Sequence, residues 1–117
     1  MKESDVSNLI RLEASRLGIH LFRNNVGATY THDGSFIRYG LANESKSMNS
    51  LLKSADLIGI RPILIEPWMV GTILGQFVSR EIKNTSWKED NSPRSAAQRN
   101  WRDLIIRLGG DATIGSI

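Results

Sequence analysis

The chain has 117 residues, 40% of them hydrophobic, about the length of one ordinary domain with enough apolar material for a core. It contains no cysteine, which excludes disulfides and thiolate metal sites and makes an intracellular, cytoplasmic setting the expectation. Fifteen Lys plus Arg against twelve Asp plus Glu leave a net charge of +3, a mild lean toward anionic partners such as nucleic acid.

The opening Met1-Lys2-Glu3-Ser4-Asp5 lacks the apolar stretch of a signal peptide, and no run approaches the ~18 apolar residues of a membrane span. From Asp5 to Leu17, the residues Val6, Leu9, Ile10, Ala14 and Leu17 recur at helical spacing, predicting an amphipathic helix that Gly18 ends. At ~100° per residue Glu13 falls in the middle of that apolar face and Glu3 on its border, so either acid could look inward. With Ser4 as N-cap, Glu3 lies just outside the helix. Ile19-His20-Leu21-Phe22 reads as a short strand leading through Arg23 into the turn Asn24-Asn25-Val26-Gly27. His20 and His32 each lack a second ligand at metal spacing and are expected to be packed or surface residues. Residues 28–40 alternate loosely around Tyr30, Phe36 and Tyr39. The Ser- and Asn-rich 41–49 predicts a loop, with Arg38, Lys46 and Lys53 available to phosphates.

Asp56 stands at the mouth of a short apolar strand, Leu57-Ile58-Gly59-Ile60, which Arg61-Pro62 breaks. Residues 63–77 read as a hairpin turning near Glu66-Pro67, its second arm running through to Lys83; neighbouring strands would then bring Asp56 next to Glu81. Along that arm Glu81 and Lys83 share one face, with Val78, Arg80 and Ile82 on the other. An isolated Glu-x-Lys is more often a surface ion pair, and Glu44-Ser45-Lys46 repeats the spacing in a loop-like setting. After a loop over 84–91, which carries Lys88, Ser92 and Pro93 open a helix as N-cap and first helical residue. Its stripe of Ala97, Trp101, Leu104, Ile105 and Leu108 runs up to Gly109-Gly110, with Trp101 expected in the core. Gln98 flanks the stripe, Arg94 lies one turn earlier on the same side, and Arg99 and Arg102 face outward. Residues 111–115 predict a final strand.

Taken in order, an early Glu followed by a helix and Gly18, Phe22-Arg23-Asn24-Asn25-Val26-Gly27, Asp56-Leu57-Ile58-Gly59, Glu81-Ile82-Lys83, and Gln98 through Gly110 span nearly the whole chain. This succession resembles the PD-(D/E)xK nuclease superfamily, and within it the VRR-NUC family of small, often phage-borne nucleases. The family pattern has Gly-x-Pro-Asp where this chain has Lys53-Ser54-Ala55-Asp56, so the proline that would steer the backbone into the strand is absent while the acid is kept. The resemblance implies a single α/β (α+β) domain over 1–117: a restriction-endonuclease-like core with a mixed central sheet flanked by helices in the order αβββαβ.

It also implies a Mg²⁺-dependent DNA endonuclease, with Mn²⁺ able to substitute and no organic cofactor. Asp56 and Glu81 would supply hard carboxylate oxygens and Ile82 a backbone carbonyl, with Glu3, or Glu13 in its place, completing the metal site. Lys83 would bind the scissile phosphate, orient the water or act as its base, and Gln98 would position water or phosphate. Arg23, Arg38, Lys53, Lys88 and Arg94 are the candidate DNA contacts. By the same resemblance the protein is a homodimer cutting branched DNA of the Holliday-junction type, two equivalent strands meeting two sites. Trp68, Met69, Val70 and Ile73 are the candidate interface. The rival readings are a nuclease for flaps or plain duplex, a non-catalytic DNA-binding module, and an interaction protein in which Glu81 and Lys83 make only a surface ion pair.

Overall fold

The structure, a computed structural model, describes residues 2–115. The chain mixes helices and strands and divides into two compact units, Met1–Ile60 and Arg61–Ile117.

The first unit opens with helix α1 (Glu3–Arg16), one turn earlier than the apolar periodicity begins. Lys2 takes the N-cap position and no side chain caps the helix, so Glu3 lies inside the first turn and Ser4 is not the cap. Its end follows the sequence: Gly18 has φ +77°, its N–H donates to the Ser15 carbonyl at 3.1 Å, and the Ile19 N–H donates to Ala14 at 2.9 Å. That pair of bonds is a Schellman motif, and the left-handed glycine makes it accessible. Ala14 is the buried residue of α1, whereas Val6, Leu9 and Ile10 remain partly open to solvent.

Strand β1 (His20–Arg23) pairs antiparallel with β4 (Leu57–Ile60), setting Arg23 opposite Leu57. Between them β2 (Gly27–Tyr30) and β3 (Phe36–Tyr39) form an antiparallel hairpin closed by Thr31, Asp33 and Ser35. The Thr31 hydroxyl and the Ser35 N–H and hydroxyl hold the Asp33 carboxyl down at a pKa of about 2. Residues 41–49 are not all loop. A short helix α2 (Lys46–Leu51) forms there because the Ser45 side chain accepts from the Met48 N–H at 3.0 Å and caps it.

In the second unit residues 63–77 form no hairpin; a single 3-10 turn, Pro67–Met69, occupies the middle of the stretch. The Glu66 side chain accepts from the Trp68 indole N–H at 2.9 Å, and Pro67 at the head of the turn offers no N–H to a ladder. Strand β5 (Val78–Ile82), helix α3 (Pro93–Arg107) and strand β6 (Asp111–Gly115) then make a βαβ unit, the two strands pairing in parallel from Val78–Asp111 to Ile82–Gly115. Ser92 caps α3 as expected, accepting from the Ser95 N–H at 3.2 Å, with Pro93 at the first position. A second Schellman motif ends the helix, Gly109 donating to Ile106 at 3.0 Å and Gly110 to Ile105 at 2.9 Å. Helix α3 packs on both strands with Ile105 fully buried at 0% exposure and Ala112 buried beside it. Among the described residues the strands thus pair as three two-stranded ladders, β1–β4, β2–β3 and β5–β6. No helix among the described residues is long and apolar enough to cross a membrane.

Candidate functional site

Strand β5 presents its residues alternately. Ser79 and Glu81, with Lys83 just beyond the strand, are half-buried, while Val78, Arg80 and Ile82 are exposed. The polar residues therefore occupy the more sheltered face, the reverse of an ordinary surface strand. Helix α3 lies over this face and brings Gln98 to it. Gln98 Nε2 donates to Glu81 Oε1 at 2.8 Å, and Lys83 Nζ donates to Gln98 Oε1 at 2.8 Å. Lys83 Nζ also stands 3.8 Å from Glu81 Oε1, which closes a three-membered ring of carboxylate, amide and ammonium.

The chemistry of the amide orients that ring. An amide offers donors at one end and an acceptor at the other, so only one orientation satisfies both charged neighbours; the flipped one would set NH₂ against ammonium and carbonyl against carboxylate. Lys83 is the more sheltered partner, its side chain 17% exposed against 42% for Glu81. The ring face of Trp87 lies 5.8 Å from Lys83 Nζ, so carboxylate, amide oxygen and aromatic face all present negative potential to the ammonium. Trp87 is a contact that sequence reasoning missed. Its one signal was an aromatic in an otherwise polar loop four residues after Lys83, and a turn with the Trp87 N–H on the Asn84 carbonyl at 3.1 Å places it.

Glu81 and Gln98 also line a cavity of ≈ 310 Å³ with Ser79, Arg94, Trp101 and Arg102. Trp101 is not core as expected: it is 38% exposed, and its indole N–H donates to Ser79 Oγ at 2.9 Å, because an indole on a strand's polar face finds a hydroxyl partner. Arg94 is exposed in the first turn of α3 and Lys88 is exposed in the preceding loop. Arg99 does not merely face solvent; its guanidinium donates to the Asp90 carbonyl at 2.9 Å and meets Glu89 at 3.5 Å. The Asp90 carboxyl is lowered to a pKa of about 2 by the Ser92 hydroxyl first, then the Ser92 N–H and the Ser95 hydroxyl, which ties loop 84–91 to the start of α3. On the opposite face of β5, Arg80 forms a bidentate pair with Asp111 at 2.9 and 3.2 Å, which lowers the Asp111 pKa and raises that of Arg80.

In the first unit Asp56 is exposed at the mouth of β4. Its backbone is held without the missing proline. Asn24 donates from Nδ2 to Ser54 Oγ at 2.7 Å and to the Ala55 carbonyl at 3.0 Å, while the Asn24 N–H donates to the Asp56 carbonyl at 2.8 Å. Glu3 is exposed in the first turn of α1. Glu13 does not look inward as its place on the apolar face suggested: it is exposed and paired with Arg16 at 3.0 Å, a partner three residues on. Arg23 and Lys53 are exposed and Arg38 is half-buried; His20 and His32 are surface residues, as expected.

For a hard divalent cation the donors are apt. Glu81 spends Oε1 on Gln98, and its Oε2 has no protein hydrogen bond among the described residues, leaving a carboxylate oxygen for an ion. Among the described residues no three or more His, Cys, Asp or Glu side chains cluster at metal-binding range. No protein-family model, no curated protein and no solved structure matches the chain.

Proposed function

We propose that the chain is a Mg²⁺-dependent DNA endonuclease of the VRR-NUC type with a restriction-endonuclease-like core, selective for branched DNA and acting as a homodimer. The observation that carries this reading is the Glu81–Gln98–Lys83 ring: a carboxylate with one oxygen spare, beside an ammonium whose position an amide fixes. Asp56, Glu81 and the Ile82 carbonyl would hold Mg²⁺ or Mn²⁺, which supplies Lewis-acid polarisation of a phosphoryl oxygen and of water. Lys83 then offers its free N–H donors to the non-bridging oxygens of the scissile phosphate, where negative charge builds during hydrolysis. Gln98 keeps the ammonium and the carboxylate at their separation, so the site is organised before substrate arrives.

Among the described residues no helix of base-reading character stands out, which favours recognition by backbone and shape over sequence. Support for the dimer comes from the 63–77 stretch, where Trp68, Val70 and Ile73 are exposed and Met69 half-buried, an apolar run of the kind a second copy covers. The test is a panel of junction, flap and duplex DNA in Mg²⁺, Mn²⁺ or EDTA. Wild type should cut junctions in either metal and nothing in EDTA, Lys83→Ala should lose cleavage, and Asp56→Asn and Glu81→Gln should keep binding without cutting. A fully active Glu81→Gln ends the proposal, and a monomer by light scattering that still cuts junctions ends its dimeric part.

A further inference from the structure

The first unit contains a second polar cleft, ≈ 400 Å³, lined by Gly27, Arg38, Asn43, Asn49, Lys53 and Ser54 among others. Two cations face it and no acidic side chain lines it. Among the described residues neither Arg38 nor Lys53 has a carboxylate within ion-pair distance. Like charges sharing a cleft repel unless an anion joins them.

Both cations are held by neutral groups that leave donors unspent. Asn43, only 3% exposed, donates to the Gly27 carbonyl at 2.7 Å and the Tyr39 carbonyl at 2.9 Å, and those two bonds fix its amide. Its Oδ1 accepts from Arg38 Nη1 at 3.3 Å, and the Phe36 ring stacks 5.3 Å from the guanidinium carbon, so the plane of Arg38 is set from two sides. A guanidinium has five N–H donors and an ammonium three, so one bond from Arg38 and one from Lys53 to Asn49 leave most of them available. A fork of N–H groups beside a compact ammonium suits a tetrahedral oxyanion.

We infer that this cleft is a subsite for one phosphodiester of a DNA backbone, with Arg38 and Lys53 as its ligands and Asn43 as the residue that positions Arg38. The inference rests on the nuclease reading for its choice of DNA. Lys53 lies three residues before Asp56 in the chain, so on that reading the subsite adjoins, along the backbone, the acid proposed to hold the metal.

The experiment is fluorescence anisotropy with a short labelled duplex in EDTA, where cleavage cannot intervene, repeated over a range of salt concentrations. Each phosphate contact contributes roughly 0.9 to the slope of log Kobs against log salt. Lys53→Gln and Arg38→Gln should each lower the slope by about 0.9, and the double variant by about 1.8. Asn43→Leu should lower it by one contact, and Arg16→Gln, on α1 outside the cleft, should leave it unchanged. Asn43 is buried, so its arm is read only from folded variant protein, whereas Lys53 is exposed and that arm is decisive. An unchanged slope in Lys53→Gln and Arg38→Gln, an equal fall in Arg16→Gln, or no measurable binding by wild type overturns the inference. Slope changes as expected with no cleavage in Mg²⁺ would remove the nuclease reading and leave the cleft; efficient cleavage with unchanged slopes would do the reverse.

Discussion

Replacing Gln98 by methionine keeps the length and volume of the side chain and deletes both bonds of the ring. Hydrogen bonds to charged groups contribute about 1.5–3 kcal/mol when sheltered. The bond to Lys83, 17% exposed, counts near the lower end of that range, while solvent screening at Glu81, 42% exposed, cuts its bond to about 0.5 kcal/mol. The sum is about 2 kcal/mol. For a chain of 117 residues, between the small and mid-sized domains for which shifts are known, that is about 8 °C in Tm. Thermal unfolding followed by circular dichroism reads it directly. A double-mutant cycle with Lys83→Met isolates the amide–ammonium term and should return about 1.5 kcal/mol of coupling. Gln98→Met within ~2 °C of wild type, or a cycle with no coupling, would refute the argument that this amide organises the site.

Four further outcomes follow from the geometry. Because the folded-state pKa of Asp90 lies near 2, below the ordinary 3.8, its contribution to stability is complete above about pH 4 and lost as pH falls through about 2. In Asp90→Asn the acid unfolding curve should therefore lose part of its slope between those values, and a curve superimposable on wild type would contradict this. Asn24→Ala removes the two bonds to Ser54 and Ala55 and should cost about 1–2 kcal/mol in urea denaturation. Ala55→Pro should return about 0.4–1 kcal/mol of that by stiffening the same segment, since among the described residues the Ala55 N–H has no acceptor. In Gly110→Ala the added methyl would meet Ile105 Cγ2 at 2.5 Å and the Phe77 carbonyl at 3.0 Å, so overpacking against a fully buried side chain should cost about 1–3 kcal/mol; an unchanged Tm would show that the contact relaxes freely.

The C-terminal end of α1 and both ends of α3 were the most legible features of the sequence. Gly18, Ser92, Pro93 and Gly109 each act locally through a backbone preference that no tertiary contact overrides. Residues 63–77 misled for the opposite reason. The turn near Glu66-Pro67 forms where it was expected, but its flanks build no ladder, and without a partner strand the β-propensity of Ile63, Leu64 and Ile65 decides nothing. The inward turn expected of Glu13 failed because a helical wheel gives direction and not partners: Arg16 lies one turn away and holds the carboxylate at the surface. Trp87 was illegible for a third reason, since a loop carries no period from which to infer where a side chain points.

The two Glu-x-Lys segments show how little a spacing means without its backbone. In 44–46 the middle residue, Ser45, is the N-cap of α2 and turns its hydroxyl to the Met48 N–H, so the flanking charges straddle a change of conformation and share no face. In 81–83 the extended backbone of β5 puts both charges on one side, and α3, returning between two parallel strands, covers that side with an amide, whose two ends satisfy a carboxylate and an ammonium together. A polar face sheltered by a helix is a costly arrangement for a strand whose opposite face exposes Val78 and Ile82. Folding alone would favour the reverse pattern, and that conflict between burial and local chemistry is the physical reason to look for function at Glu81 and Lys83 rather than at Glu44 and Lys46.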